Sequence, residues 1–471
     1  MSALAAEVAE RDRAKKANAN CLGNKASLPL PDSSQVDVVV IGGGPGGSTI
    51  ATMLATEGVS VVQLEKAQHP RFHVGESLLP NNLPILERLG VADEVRRIGV
   101  RKAGADFTCE IDGESSLLQT FRFDRALGDS PEHAWEITRS EFDELLFNNA
   151  RDKGVSGFEG CTVKSVEERD QNGLLHVVCS NSEGEVRRVP TRFVVDASGR
   201  DGFMARKNHW RKKNGKHASA AIFGHFTGVP YRDGIDAGNI SIYWFDQGWI
   251  WMIPLKDGRM SVGAVCWPDY LKLRDSDTET FLRQTLARSK AAGLRMKDAV
   301  AVEPVRATGN YSYRSDRLWG DGYLLVGDAY AFVDPVFSSG VYLAMSSAER
   351  ALPVVKAALS GNRGAYRGAA RTYQSQVNRK ISSFTWFIYR FTTPTMRDLF
   401  RNPRNDWQIE QSVISMLAGN GDGSSAIRKR LLAFRGIYQL NRVLRLPETF
   451  KAWQRRRKNA KLVFQDEQIM S

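Results

Sequence analysis

The chain has 471 residues, 42% apolar and 25% charged, and carries a formal net charge of +12. That length exceeds what one hydrophobic core fills, since single cores stop growing near roughly 250–300 residues, so two or more domains are expected. The composition is that of a soluble globular protein, and no apolar run approaches the ~20 residues that cross a bilayer.

Five cysteines (Cys21, Cys109, Cys161, Cys179, Cys266) are scattered and odd in number, which fits reduced thiols better than a disulfide framework or a structural zinc site. His69 and His73 have i, i+4 spacing, but Pro70 between them argues against the helix that would make a metal pair. No resident metal is expected. The charge is uneven: from Ala426 to Ser471, twelve Lys or Arg face three acids, so this tail carries nine of the twelve net charges. Such a surface steers encounter with acidic partners, while the absence of a recognised nucleic-acid motif argues against nucleic acid.

Residues 1–35 lack the apolar core of a secretory signal and read as a flexible extension, so a cytoplasmic protein is expected. "VDVVVIGGGPGGSTIATMLATEGVSVVQLEK", Val36 to Lys66, then reads as strand, glycine turn, helix, strand. Gly42, Gly44 and Gly47 fill G-x-G-x-x-G, and Glu65 closes the second strand 23 residues after Gly42. Glycines there permit the tight turn, the approach of a pyrophosphate to the backbone and close helix packing, while an acid at that distance accepts from ribose hydroxyls. The loop "FHVGESLLP", Phe72 to Pro80, follows the second strand, where it faces the cofactor crevice. It is expected to be mobile and to bring Glu76 and Ser77 near the cofactor; His73 and Glu76 are candidate general bases that no spacing distinguishes.

"RFVVDASGRDG", Arg192 to Gly202, is another apolar strand entering a turn. The stretch from about 205 to 305 alternates and is rich in aromatics, as in "NISIYWFDQGWIWMIPLKDGRMSVGAVCW", and reads as antiparallel strands inserted into the first domain. "GYLLVGDAYAFVDPVFSSGVYLAMSSAERA", Gly322 to Ala351, gives strand, Gly327-Asp328, a Pro/Ser/Gly loop and a helix from near Val341. The remainder, 351–471, is helical. The fold class is thus α/β: a Rossmann-like dinucleotide-binding domain over 36–350, an inserted antiparallel substrate sheet and a basic helical C-terminal region. One fingerprint combined with the distant Gly327-Asp328 turn is the arrangement expected for FAD, whose ribityl chain needs a second supporting segment.

Gly42 to Gly47, Arg139 in "ITRSEFDELL", Asp196 in "DASGRDG" and Asp328 in "GDAYAFVDP" resemble the flavin-binding signatures of the flavoprotein hydroxylase superfamily. Within it, "WIWMIP" at Trp249 to Pro254 matches the W-x-W-x-I-P pattern associated with flavin-dependent halogenases. Phe332, Pro335, Ser338 and Gly340 match an F-x-x-P-x-x-S-x-G pattern found beside the flavin's reactive edge in that family, and "VRKAGADF" resembles the catalytic-lysine segment of the subgroup acting on phenols and pyrroles. One departure is Cys109, where those relatives commonly carry an aromatic residue.

The resemblance implies FAD, reduced by a separate flavin reductase, with chloride or bromide as co-substrate and an electron-rich aromatic, free or tethered to a carrier protein, as acceptor. It implies that Lys102 holds or polarises hypohalous acid. Gly42, Gly44, Gly47, Glu65, Glu76, Ser77, Arg139, Asp328 and Gly340 would bind the cofactor. Trp249, Trp251, Phe332, Pro335, Ser338 and Ser339 would line the halide site or the passage to the substrate. An aromatic monooxygenase or a prenyl reductase of the same fold is the alternative.

Overall fold

A computed structural model describes residues 30–465 apart from 111–115, 215–216, 310–311, 402 and 404. Most of the expected N-terminal extension, and Cys21 with it, lies outside the described residues.

The Val36–Ile41 strand is continuous in apolar side chains from Val38 because it is buried on both faces. It pairs in parallel with Val61–Leu64 on one side and Val186–Asp196 on the other; Tyr323–Leu325 and Ser156–Phe158 extend the parallel sheet outward. Register brings Ile41 beside Leu64 and Asp196, and Asp196 beside Leu325, so these strands end along one line. The turns that follow are stitched by Gly42 N–H to Leu64 O (2.8 Å), Ala197 N–H to Ile41 O (2.9 Å) and Val326 N–H to Asp196 O (2.8 Å). Three segments distant in sequence therefore open onto the same carboxyl edge, where ligands of open α/β sheets bind. The helix Pro45–Thr56 covers this sheet, its small residues allowing close packing against Ser339–Leu359 and Arg139–Asp152. The last element of this edge begins at Ser339, two residues before the start expected from the sequence.

The second sheet runs in the order Val300–Ala301, Ala220–Thr227, Met260–Cys266, Gly248–Pro254, Ile240–Phe245, Gly104–Glu110, Ser116–Arg122. It draws on two stretches of chain rather than on 205–305 alone: Gly104–Glu110 lies parallel to Ile240–Phe245, with Phe107 beside Ile242. Nothing in local sequence links them; what joins them is the apolar face they share. Phe107, Ile242, Trp244, Trp249, Trp251 and Ile253 project from that face into a core completed by Phe387 and Phe391 of the helix Arg363–Phe391 and by Phe400 of Pro394–Arg401. The opposite face, with Ile222, Tyr243, Ile250, Met252 and Val262, packs on Phe281, Leu282 and Leu286 of Thr278–Leu286. Burial on both sides explains the near-absence of polar residues in "WIWMIP".

The described cysteines, Cys109, Cys161, Cys179 and Cys266, are buried and form no disulfide with one another. Residues His69 to His73 form no helix, and His69 Nδ1 meets Glu159 at 2.8 Å instead of a second histidine. No described helix is long and apolar enough to cross a membrane.

Candidate functional site

A cleft of about 750 Å³ opens at the carboxyl edge of the parallel sheet, lined by the glycine turn, Glu65, Arg71, Arg139, Ser198 to Asp201 and Asp328. Gly42 adopts φ +110°, and a Cβ there would lie 2.4 Å from Ala197 O; a Cβ on Gly47 would lie 2.0 Å from Gly42 O. These two glycines are demanded by the protein's own packing. Gly44 differs: the atom nearest a Cβ there is Arg71 Nη2 at 3.6 Å, so the added methyl would enter the cleft, where a pyrophosphate needs bare backbone. The Glu65 carboxylate is fixed at the cleft wall, Oε2 accepting from Gly43 N–H at 2.6 Å and Oε1 from Ala67 N–H at 2.9 Å.

Arg139 grips Asp143 through Nε (2.8 Å) and Nη2 (3.0 Å), and its Nη1 donates to Val74 O at 2.9 Å, which fastens the 72–80 loop to the helix below. Burial pushes the Asp328 carboxyl up to about 6, against the Arg200 and Arg139 guanidinium charges. Arg71, which sequence reasoning passed over, reaches Asp143 Oδ2 at 3.2 Å and lies 3.6 Å from Glu65. Its guanidinium in the cleft supplies positive charge for a pyrophosphate. It stands directly before "FHVGESLLP", but no spacing rule selects it. The bare Gly44 backbone, the ribose-side carboxylate and this cation together fit FAD.

Beyond the inner end of this cleft is a cavity of about 100 Å³, lined by His73 to Ser77, Trp249, Trp251, Phe332, Pro335, Ser338 and Gly340. Trp249 and Trp251, two apart on one strand, face it together with ring centroids 5.8 Å apart; Trp251 Nε1 donates to Ser261 Oγ at 3.2 Å. A Cβ on Gly263 would lie 2.4 Å from the Trp251 ring, so this glycine makes the room. Ser338 has φ +54° and stands at the N-cap position of the helix Ser339–Leu359, its side chain making no capping hydrogen bond, and it lines the cavity. Gly340 borders both spaces. Ser339 is buried and is not among the residues lining the cavity.

Lys102 does not line this cavity either. It is buried behind Ser77, donating from Nζ to Ser77 Oγ at 2.7 Å and to Leu78 O at 3.1 Å, with Glu136 Oε1 3.9 Å away. Lys102 and Glu136 are brought together by a two-stranded ladder, Val100–Lys102 against Ala134–Glu136. The loop residues join that ladder through Leu78 N–H to Trp135 O (3.0 Å) and Ile137 N–H to Glu76 O (2.8 Å). Burial pushes Lys102 down, against the pull of Glu136; burial pushes Glu136 up to about 7, against Lys102. A buried base and a buried acid, each pushed by burial toward its neutral form, thus lie one side chain from the cavity. Glu136 is a site residue that sequence reading missed.

The loop's two candidate bases separate in the structure. Burial pushes His73 down to about 4, helped by Arg139, and its Nδ1 meets Val74 O at 2.8 Å, so the ring is neutral near pH 7. The Glu76 side chain lines the small cavity but turns to His225, with Oε1 2.5 Å from Nε2.

The FAD binding domain family matches residues 35–380. A tryptophan 2-halogenase of Chondromyces crocatus is 36% identical over 342 residues, 71% of this chain and 63% of that protein. The flavin-dependent halogenase gsfI of Penicillium aethiopicum is 34% identical over 383 residues, 76% of this chain and 70% of that protein. The solved structure of the myxobacterial chondrochloren halogenase CndH, a variant of FAD-dependent halogenases, is 32% identical, with a TM-score of 0.69 over 76% of this chain and 82% of that one. This chain spans less than two thirds of the length of the first of these relatives.

Proposed function

The chain belongs to the flavin-dependent halogenases, and from that premise we propose that it halogenates an electron-rich aromatic ring, a phenol or pyrrole, with Lys102 directing the halogen. Bound FAD supplies the redox chemistry: reduced FAD, dioxygen, halide, arene and one proton give oxidised FAD, aryl halide and two waters. The protein's residues perform the rest. The glycine turn, Glu65 and Arg71 hold the cofactor, and Asp328 and Arg139 flank the boundary between cleft and cavity. Trp249, Trp251, Phe332 and Pro335 exclude water, while Ser338 and the peptide groups after it are donors for a halide. The Lys102 ammonium donates to the oxygen of hypohalous acid through the Ser77 side of the cavity, and Glu136 balances its charge. Reduced flavin comes from a separate reductase.

The observation that carries this reading is the buried Lys102–Glu136 pair set directly behind a cavity that joins the FAD cleft to the Trp249–Trp251 wall. The test is mass spectrometry of reactions with FAD, a flavin reductase, NADH and chloride or bromide. The panel holds phenols, pyrroles and tryptophan, free or carrier-bound, with Lys102→Ala in parallel. A halogen isotope pattern absent from the variant supports the reading; oxygen added without halogen, equally in both proteins, defeats it.

A tethered substrate accords with the C-terminal helices, where Leu440, Val443, Leu444, Phe450 and Trp453 are exposed beside Lys429, Arg442, Lys451, Arg457 and Lys458. An acidic carrier protein complements that surface. Arg455 and Arg456 do not belong to it: Arg455 donates to Asp246 O at 2.9 Å, and burial pushes Arg456 down to about 10 beside Trp267.

A further inference from the structure

His225 lies on the strand Ala220–Thr227 with its side chain buried between two carboxylates: Nε2 is 2.5 Å from Glu76 Oε1, and Nδ1 is 3.0 Å from Glu303 Oε1. Glu76 is 2% exposed and lines the small cavity; Glu303 is 26% exposed and reaches solvent. We propose that Glu303, His225 and Glu76 form the path by which protons pass between solvent and the small cavity. The inference rests on the halogenase reading, in which each halide consumed requires one proton.

Transfer is a matched exchange of bonds. As the O–H bond of a protonated Glu303 breaks, an N–H bond forms at Nδ1. The Nε2–H bond breaks as an O–H bond forms on Glu76, which leaves the ring protonated at Nδ1 and bare at Nε2, and the ring must regain its Nε2–H tautomer before the next proton crosses. Of the charges facing His225, the two carboxylates favour a proton on the ring and Arg259 opposes it. Glu76 comes from the loop, Glu303 from the segment after Val300–Ala301, and Arg259 from the turn before Met260–Cys266. Burial, which would push His225 down, is outweighed by the hydrogen bond and charge of Glu76 and the charge of Glu303, so the ring is pushed up. Arg306 Nη2 holds the other oxygen of Glu303 at 3.1 Å, and Phe72 closes one side of the ring at 5.6 Å between centroids. On the cavity side the charge of Glu76 is felt by Glu136, the partner of Lys102, so a proton delivered to Glu76 arrives within electrostatic reach of the reacting end.

A triad that merely pins the loop would use the same contacts, so the test separates charge transfer from anchoring. In the full-length, FAD-loaded protein, His225→Gln is expected to lower kcat about 100-fold, within the range of general acid–base contributions. The FAD dissociation constant should stay unchanged, and the solvent deuterium isotope effect and the pH profile of kcat should both change. Glu303→Gln, at the rim, should shift the same profile with a smaller loss and serves if His225→Gln does not fold. A fall in kcat that tracks weakened FAD binding, with the pH profile unmoved, overturns the proposal. In parallel, 15N-histidine NMR follows His225 in the flavin-free protein to check that the ring is coupled to both carboxylates: titration unmoved in both Glu76→Gln and Glu303→Gln overturns the path. If the wild type makes no halogenated product, the halogenase reading fails, while NMR titration unmoved in both variants would independently overturn the coupled triad.

Discussion

The two spaces that meet at Gly340 are built by opposite means. The large cleft is shaped by backbone: glycine turns, strand ends in register, and carboxylates fixed by peptide N–H groups such as those of Gly43 and Ala67. The small cavity is shaped by side chains from distant parts of the chain, with Trp249 and Trp251 from one sheet, Ser77 from a loop and Lys102–Glu136 from a separate ladder behind it. The difference teaches where each property resides. On the proposed reading, cofactor affinity depends on keeping atoms out of the cleft, whereas turnover depends on placing charged groups beside the cavity.

The largest separation of the two should come from Lys102→Ala. It removes the donor while leaving the cleft intact, so halogenation is expected to fall by roughly 10²–10⁴-fold with FAD binding unchanged, measured by product formation and flavin fluorescence titration. Equal losses of both would erase the comparison. Gly47→Ala should act in reverse. The new Cβ meets backbone at 2.0 Å, and the clash is expected to cost on the order of 3 kcal/mol of stability and to abolish FAD retention, read by thermal unfolding and flavin content after gel filtration.

Asp328 sharpens the comparison through pH. Its folded value of about 6 lies above the ordinary 3.8, so between these the folded state keeps a proton that the unfolded chain has released. The flavin-free protein should therefore lose stability as pH rises from about 4 to 6, on the order of 3 kcal/mol from this group. Asp328→Asn should remove that loss, so the stability of the wild type minus that of the variant in urea denaturation should fall across this range; a difference that rises there would contradict the assignment. The smallest effects belong to the surface. Reversing Lys429, Lys451 and Lys458 to Glu should raise KM for a carrier-bound substrate about tenfold, with less change at high salt, and leave turnover of a free phenol as it was.

Legibility in the sequence follows the same division. The cleft was readable because Gly42, Gly44, Gly47 and Glu65 stand in one short segment whose spacing is set by a strand, a turn and a helix. The Trp249–Trp251 wall was readable through the resemblance of "WIWMIP" to the halogenase pattern, since spacing alone, which puts residues two apart on one face, fits plain core packing. Glu136 and His225 were not: each is an isolated titratable residue on an apolar strand, and its partner lies 34 or 149 residues away. Gly104–Glu110 likewise gave no local sign that it would join a sheet begun more than a hundred residues later.

By itself the sequence determined the dinucleotide turn, the strand ends that could form its rim, and the aromatic face of the substrate sheet, because these rest on backbone geometry and short periodicities. Only the tertiary structure decided that Lys102 sits behind Ser77 beside Glu136, and that Glu76 faces His225 rather than the cofactor cleft. Those choices arise from burial: a charge withdrawn from water must find an opposite charge or a hydrogen bond, and which one it finds depends on the segments the shared core folds against it.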